Sequence, residues 1–485
     1  MTTGNLDAQV RETHTGIVVL LGDRAFKAKK SIVTGFLDFS TPTRREEVCE
    51  REVTLNRRLA PDSYQGVGHF SGPVHGTAEP VIVMQRYPDS IRLASLVTNG
   101  HAVEEHLARI AEVLASFHAD AARNPAIDAE GEGSAISARW QHNLDELTQI
   151  SAGVIAEESL REINRLARQF ISGRADLFNQ RIAVRRIVDG HGDLLADDIF
   201  CVPGSPALLD CLEFDDRLRF VDGIDDAAFL AMDLEFLGRK DLADLFFEAY
   251  RRRAHDGAPQ ALKDFYVAYR AIVRGKVDCI RVAQGHSEAA ADACRHIEMA
   301  LMHLKAATVQ LIVIGGGPGT GKTTLANALA QHVGAQVIST DDVRRELQAS
   351  GAITGAAGDL NSGLYAPENV SLVYDEVLRH ARRLLAAGSS VILDGTWRDV
   401  SQRGLAHELE DQSAVPLVEL ACSVPLSEAS QRIRDRTSTT SDATPEIAAA
   451  LSDYDLQSVD AVRIDTSRPL AESVAEAQQI CCLAL

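Results

Sequence analysis

One stretch constrains this chain more than any other: Leu311 to Leu325, reading LIVIGGGPGTGKTTL. Four apolar residues, Leu311 to Ile314, read as a buried strand. Gly316 to Thr323 then spell G-x-x-x-x-G-K-T, and an apolar-periodic helix follows from Leu325. A glycine-rich turn between a buried strand and a helix is the context in which this motif binds phosphate. The glycines let backbone N–H groups turn inward, and the helix start adds its positive dipole end. Phosphate contacts are expected from Gly316, Gly317, Gly319, Thr320, Gly321, Lys322, Thr323 and Thr324. Lys322 supplies a point charge for the β- and γ-phosphates, and the Thr323 hydroxyl is the expected Mg²⁺ ligand. ATP and Mg²⁺ are therefore the expected cofactors. Such a loop normally opens its domain, yet most of the chain precedes it.

At 485 residues the chain is too long for one core. The net charge of −20 and the 5% aromatic content argue against a nucleic-acid binder, which needs basic grooves and stacking surfaces. No run of about 18 apolar residues marks a membrane span. The first residues lack an apolar signal region, so a cytoplasmic location without membrane association is expected. The eight cysteines (49, 201, 211, 279, 294, 422, 481 and 482) form no C-x-x-C pair, so neither a disulfide framework nor a zinc site is indicated. Oligomeric state is not legible.

Along the chain, residues 1–15 read as a polar lead-in. Ile17–Leu21 and Arg24–Lys30 read as two strands around the Gly22-Asp23 turn. Arg44–Leu59 reads as a helix, Pro80–Tyr87 as a strand, Val103–Ala122 as a long amphipathic helix, and Asn124–Ser137 as a loop. A helix over Ser159–Asn179 and a strand over Ala207–Cys211 follow, and residues 225–305 read as a run of helices. After Lys305 strands and helices alternate, which predicts a parallel sheet with helices on both faces. The expected division is 1–306, with a small lobe over about 1–87 and a large lobe over about 88–306, followed by 307–485.

The first half carries its own constellation. His191-Gly192-Asp193 is followed five residues on by Asp198, and Asp210 follows Ala207-Leu208-Leu209. Phosphoryl transfer to a hydroxyl needs one carboxylate to orient and deprotonate the acceptor and further oxygen ligands for Mg²⁺. Upstream, a strand lysine held by a helix glutamate would meet the nucleotide phosphates. Lys27 and Lys29 lie on one face of their strand, and Glu52 lies on the next helix. Alternation alone does not choose between the lysines, though Lys27 is preferred. On these residues the first half resembles the aminoglycoside phosphotransferase-like kinases, which share the protein-kinase fold. The resemblance implies Asp193 as catalytic base, Asp198 and Asp210 as metal ligands, Lys27 or Lys29 paired with Glu52, and an adenine-receiving hinge at Met84–Tyr87. The chain departs from that pattern: Asp198 stands where Asn is usual, Leu195 where a second histidine is frequent, and no glycine-rich loop precedes Lys27. The acidic run Asp210, Glu213, Asp215 and Asp216 with Arg217 and Arg219 fits either a cationic-substrate pocket or a salt-bridge cluster.

In the second half, Val337–Leu347 is a strand ending in carboxylates and then a helix. Ligands bind at the carboxyl ends of strands in such sheets, so Asp341 is a candidate general base and Arg344 a candidate grip on the acceptor. Thr340 or Asp341 could equally cap the helix. A further buried strand ends at Asp394, a candidate acceptor or metal-water contact. Arg432, Arg434 and Arg436, before the polar stretch Thr437–Asp442, suggest an arginine lid, with Arg432 and Arg436 as phosphate contacts. With S-x-D-x-x-R at 339–344, D-G-T at 394–396 and R-x-x-x-R at 432–436, this half resembles P-loop kinases of the gluconate kinase, zeta-toxin and polynucleotide kinase group. The order of the two halves resembles bacterial bifunctional aminoglycoside phosphotransferase/ATP-binding proteins.

The expected fold is thus an α+β protein-kinase-like domain followed by an α/β P-loop NTPase domain with a parallel sheet. The leading functional expectation is a two-site kinase that phosphorylates a hydroxyl of a small molecule such as a sugar or amino sugar. Two alternatives stand beside it. One is a regulatory protein with an inactive kinase half and an ATP-driven switch; the other is a nucleic-acid 5′-end kinase on the second half.

Overall fold

The β-branched apolar run Gly16–Leu21 and the mixed segment Arg24–Lys29 pair as a hairpin, strands β2 and β3, around a turn in which Gly22 takes a positive φ. In this computed structural model, which describes residues 8–12, 16–32, 38–71, 78–151, 153–356, 362–435 and 461–484, the hairpin is the centre of a five-stranded antiparallel sheet. Its order is β1-β2-β3-β5-β4, with β1 at Gln9–Glu12, β4 at Tyr64–Phe70 and β5 at Glu79–Gln85. Residues Gln9–Glu12, expected as lead-in, instead pair with β2. Strand β4 carries Gly66 and Gly68, which weaken any strand signal, so only the pairing with β5 reveals it.

One helix, Pro42–Asn56, packs on this sheet. Thr41 caps it by accepting from the Arg44 N–H at 3.3 Å, and Pro42 opens its first turn. Its buried positions include Cys49, Glu52, Val53 and Asn56, the i, i+3, i+4, i+7 stripe that faces a partner. Glu52 is therefore buried by the helix period.

The rest of the first unit is mainly helical. Short strands interrupt it: β6 (Ile187–Asp189), β7 (Ile199–Phe200), β8 (Ala207–Leu208) and β9 (Phe220–Asp222). β6 pairs with β9 and β7 with β8, both antiparallel. The expected loop at Asn124–Ser137 is wrong. Asn124 caps the helix Pro125–Ala129, accepting from the N–H groups of Ala126 (2.9 Å) and Ile127 (3.0 Å), and a second helix runs over Gly133–Ile150. An Asn-Pro pair opening a helix was the missed signal. The helix Gly223–Phe236 is almost wholly buried, yet it carries Asp225, Asp226 and Asp233.

The second unit is a five-stranded parallel sheet of order β11-β12-β10-β13-β14, with β10 at Leu311–Gly315, β11 at Gln336–Ser339, β12 at Val391–Asp394, β13 at Leu417–Ser423 and β14 at Val462–Asp465. Period-two alternation splits its apolar residues between two cores. Leu311, Val313, Val391 and Leu393 face a cluster with Val373, Val377, Ala381 and Leu385 of the helix Pro367–Ala386. Ile312, Ile314 and Ile392 face Leu325, Ala326 and Leu329 of the helix Lys322–Val333. Covering both faces is what a parallel sheet requires.

The two compact units are not contiguous in sequence. One comprises Met1–Leu160, Asn179–Ala258 and Tyr266–His303; the other comprises Arg161–Phe178, Pro259–Phe265 and Leu304–Leu485. A single division at 306/307 does not describe the segments 161–178 and 259–265. The observed architecture has the expected classes, an α+β half built on an antiparallel sheet and an α/β half built on a parallel sheet with the glycine-rich loop after its strand β10. No helix among the described residues is long and apolar enough to cross a membrane.

A buried ion cluster anchors the helix Gly223–Phe236. Arg181 donates to both Asp222 oxygens at 2.6 and 2.7 Å and to both Asp256 oxygens at 2.6 and 2.7 Å. Asp222 also caps that helix by accepting from the Ile224 N–H. Replacing Arg181 with Met leaves buried Asp222 without its cation and Asp256 with only Arg186, 3.5 Å away. The expected loss is about 3–5 kcal/mol of stability in the first unit, read as a lower denaturant midpoint; an unchanged midpoint would contradict the role given to this cluster.

Candidate active sites

Strand period two places Lys27 and Lys29 on the same face of β3, and the structure turns both toward Glu52. Lys27 Nζ lies 2.9 Å from Glu52 Oε1, and Lys29 Nζ lies 2.6 Å from Glu52 Oε2. The lysines then diverge. Lys27 also donates to Asp210 Oδ1 at 2.5 Å, whereas Lys29 donates to Glu213. The two lysines thus differ in their second partner: Lys27 reaches the metal-ligand candidate Asp210, and Lys29 reaches Glu213. Burial opposes the Lys27 ammonium, but Asp210, Glu52 and Glu213 outweigh it and hold its pKa well above the usual lysine value. Burial likewise would raise the Asp210 carboxyl, yet the Lys27 charge and hydrogen bond hold it below the carboxylate range.

Asp210 adopts a positive φ of 64°, unusual for a residue with a Cβ, and its N–H donates to the Tyr64 hydroxyl at 3.2 Å. The remaining acidic run is a salt-bridge cluster. Asp215 caps a short turn by accepting from the Arg217 N–H, Asp216 pairs with Arg51 and Arg219, and Arg217 pairs with Glu130.

The His191–Asp193 loop is held by groups that no motif announces. Asp226 accepts from the N–H groups of His191 (2.7 Å) and Gly192 (2.8 Å), and from His118 Nε2 (2.9 Å). These donors overcome its burial and keep its carboxyl below the usual range. Gly190 packs so closely that a Cβ there would meet Asp226 Oδ2 at 2.6 Å. The Asp193 N–H donates to His191 Nδ1, which leaves Nε2 to donate to the Leu209 carbonyl at 3.1 Å. Burial lowers the His191 pKa, so the ring is neutral and acts as a strut. The sequence hint of Asp226 was a set of carboxylates, Asp225, Asp226 and Asp233, in a helix otherwise rich in apolar residues.

Asp193 and Asp198 are both half-buried. Burial pushes the Asp193 carboxyl up to about 6, with Arg274 opposing and Asp210 adding. Burial also pushes Asp198 well above the carboxylate range, reinforced by Asp210 and Asp193. Two carboxylates that resist ionising beside a third held ionised by Lys27 suit a site that receives a cation. Met84 lies on β5 in the buried cluster with Ala25, Tyr64, Phe200 and Leu209. The backbone after it is fixed: the Gln85 N–H donates to the Ser63 carbonyl and the Arg86 N–H to the Asp23 carbonyl. A cavity of about 600 Å³ lined by Arg58, Phe117, Asp120 and Asp189, among others, holds none of the expected site residues.

In the second unit the glycine-rich loop joins β10 to the helix Lys322–Val333. Gly316 has φ 145°, and a Cβ there would meet the Cys422 carbonyl and Thr320 Oγ1 at 2.8 Å. Gly319 has φ 75°, and a Cβ would meet the Ala429 carbonyl at 2.5 Å. Gly317 accepts from Thr320 Oγ1 and Lys322 Nζ through its carbonyl. Gly321 caps the helix in the left-handed region, which leaves Thr323 and Thr324 in its first turn.

Thr323 Oγ1 donates to Asp394 Oδ2 at 2.6 Å. Asp394 is 3% exposed, and its other oxygen has no hydrogen-bond partner among the described residues. Burial raises its pKa, with Thr323 and Lys322 opposing. A buried oxygen left open beside a threonine hydroxyl fits Mg²⁺, which is held by one or two protein ligands plus phosphate oxygens. The structure thus sets Asp394 beside the metal candidate Thr323.

Asp341 does not cap its helix; neither does Thr340. Ser339 is the cap, accepting from the Asp341 N–H at 3.3 Å. That leaves the Asp341 carboxylate to accept from Arg344 Nη1 at 2.6 Å, and the Arg344 guanidinium lies 4.4 Å from the Tyr365 ring centroid. Arg432 is tied down, donating to Glu428 (2.6 Å) and to the Thr466 carbonyl (2.8 Å), with Nη1 3.4 Å from where a Gly321 Cβ would sit. Arg434 is exposed. Arg436 and Thr437–Asp442 lie outside the described residues.

A family model described as an AAA domain matches residues 311–455. Among solved structures, a gluconokinase from Sinorhizobium meliloti is 19% identical with a TM-score of 0.28, covering 36% of this chain and 92% of its own. A choline kinase from Cryptosporidium parvum is 10% identical with a TM-score of 0.40, covering 63% of this chain and 90% of its own. The uncharacterized protein Rv2004c of Mycobacterium tuberculosis is 56% identical over 471 residues, which is 97% of this chain and 95% of the relative. The chain belongs to the same protein family as Rv2004c.

Proposed function

We propose that the protein is a two-site, ATP-dependent phosphotransferase that moves a γ-phosphoryl group to a hydroxyl of a small molecule. The observation that carries this reading is Lys27, which spans Glu52 and Asp210 at 2.9 and 2.5 Å. A lysine so held between a helix glutamate and a metal-binding carboxylate is the arrangement that positions nucleotide phosphates in this type of transfer. The architecture of both halves is that of kinases, and the solved neighbours named above are kinases by title.

In the first site Asp193 accepts the proton of the acceptor hydroxyl. His191 and Asp226 keep that carboxylate in place. Asp198 and Asp210 would hold Mg²⁺, which screens the charge of the phosphates when bound. In the second site the loop N–H groups and Lys322 receive the phosphates, and Thr323 and Asp394 would hold the metal. Asp341, oriented by Arg344, serves as the second base; Arg344 can also reach the acceptor. The chemistry needs positioning and charge neutralisation, with no covalent enzyme intermediate. The net charge of −20 favours small-molecule acceptors over nucleic acid. All eight cysteines are free thiols, which fits a cytoplasmic location.

The test is ADP release with a panel of alcohols, comparing Asp193→Ala and Lys322→Ala in the whole protein. Each variant should lose turnover by about 10²–10⁴-fold at its own site and leave the other working. Full turnover by both variants would defeat the two-site reading. At the first site, isolated in Lys322→Ala, kcat/KM should fall as the pH drops through about 6, because Asp193 must be ionised to accept a proton. A flat profile between pH 5 and 8 excludes Asp193 as the base. Lys27→Met should raise the KM for ATP more than Lys29→Met does, since Lys29 is bound to Glu213 instead; the reverse order would reassign the phosphate lysine.

A further inference from the structure

The helix Gln260–Ala283 brings two arginines to the His191–Asp193 loop that the reaction above does not use. Arg270 is locked. Its Nε lies 2.7 Å from Asp225 Oδ1, its Nη1 donates to the Gly192 carbonyl at 3.1 Å, and its guanidinium stacks 4.8 Å from the Phe229 ring centroid. It is 4% exposed, and its Nη2 is buried without a hydrogen-bond partner among the described residues.

Arg274 lies one helical turn further on, at i+4, on the same face. It is half-buried, and it makes no hydrogen bond or ion pair with any described residue. Among the charges acting on the Asp193 carboxyl, that of Arg274 is the largest, and Arg274 also acts on Asp233. Arg270 shares that neighbourhood with the carboxylates Asp193, Asp197, Asp210 and Asp233. A guanidinium held beside so many carboxylates, yet bonded to none, keeps its planar donor fork free.

We propose that Arg274 receives an anionic group on the phosphoryl acceptor, so that the first site acts on a small alcohol carrying a carboxylate or a phosphate. This rests on the reading of Asp193 as the base of that site. The acceptor's anion pairs with the Arg274 fork, which aims its hydroxyl at Asp193. The hydroxyl oxygen forms the new bond to the γ-phosphorus, the bond from that phosphorus to the β–γ bridging oxygen breaks, the proton passes to the Asp193 carboxylate, and ADP leaves. A cationic amino alcohol would meet Arg274 with like charge, so the acceptor class differs from the amino sugars that the first half's resemblance suggests.

The experiment uses the full chain carrying Lys322→Ala, which silences the second site. ADP release is measured with D-glycerate, glycerol 3-phosphate, glycerol and ethanolamine. The expected result is a KM for the two anionic alcohols at least about tenfold below that for glycerol, the size of one charge-assisted hydrogen-bonded contact. Arg274→Ala should raise that KM about tenfold while leaving the KM for ATP in place, and Arg274→Lys should restore part of it. A preference for glycerol or ethanolamine, or an Arg274→Ala variant that shifts only the pH profile, overturns the proposal. If Asp193→Asn leaves ADP release intact, the reading of the first site as catalytic falls instead. Calorimetric titration with D-glycerate and glycerol 3-phosphate then decides the Arg274 claim: binding weakened about tenfold in Arg274→Ala supports it, while equal binding, or none to either protein, overturns it.

Discussion

The first half of this protein depends on one buried carboxylate. Glu52 has no exposure at all, and a charge in that position must be paired or it would not remain charged. It is paired twice, once by each lysine of β3. The pairing ties the strand to the helix Pro42–Asn56 and sets how far along each other they lie. The lysines carry the constraint onward, Lys27 to Asp210 and Lys29 to Glu213, so the segment after β8 is set by the same carboxylate. Asp226 does the corresponding work for the His191–Asp193 loop, gathering two backbone N–H groups and a histidine around one buried acid.

The second half builds its candidate site by a different physical route. Its donors are backbone N–H groups and a lysine within one contiguous loop, and its close contacts are made by glycines that leave no room for a Cβ. The first half assembles side chains from β3, a helix, the His191 loop and the segment after β8. One route needs a local conformation. The other needs four pieces of chain brought together and held by buried ion pairs, which explains why the first unit carries so many buried charges among its core residues.

That difference governs what could be read in advance. The loop at Gly316–Thr323, its strand and its helix were legible because every constraint acts within a few residues. The alternating units after Lys305 were legible for the same reason. Lys27, Glu52, Asp193, Asp198 and Asp210 were nameable from their spacing and resemblance, but the spacing could not say which lysine met Asp210. Strand β4 was hidden by its glycines, and the helices over Pro125–Ala129 and Gly133–Ile150 by a small-residue composition that reads as loop. Asp226, Arg270 and Arg274 carried almost no signal, because a charged residue in a helix looks solvated until the fold buries it.

By itself, then, the sequence determined the phosphate loop, the parallel order of the second half and the set of carboxylates available to the first. These follow from local backbone chemistry and from hydrophobic period, which need no knowledge of distant contacts. Only the tertiary structure decided that Lys27 rather than Lys29 reaches Asp210, that Ser339 caps the helix and frees Asp341, that Asp394 turns to Thr323, and that the Arg274 charge acts on Asp193 without a hydrogen bond among the described residues. Each of these is a choice among partners far apart in the chain. Such choices are settled by packing and burial, which raise the cost of an unpaired charge, and neither is defined until the chain has folded.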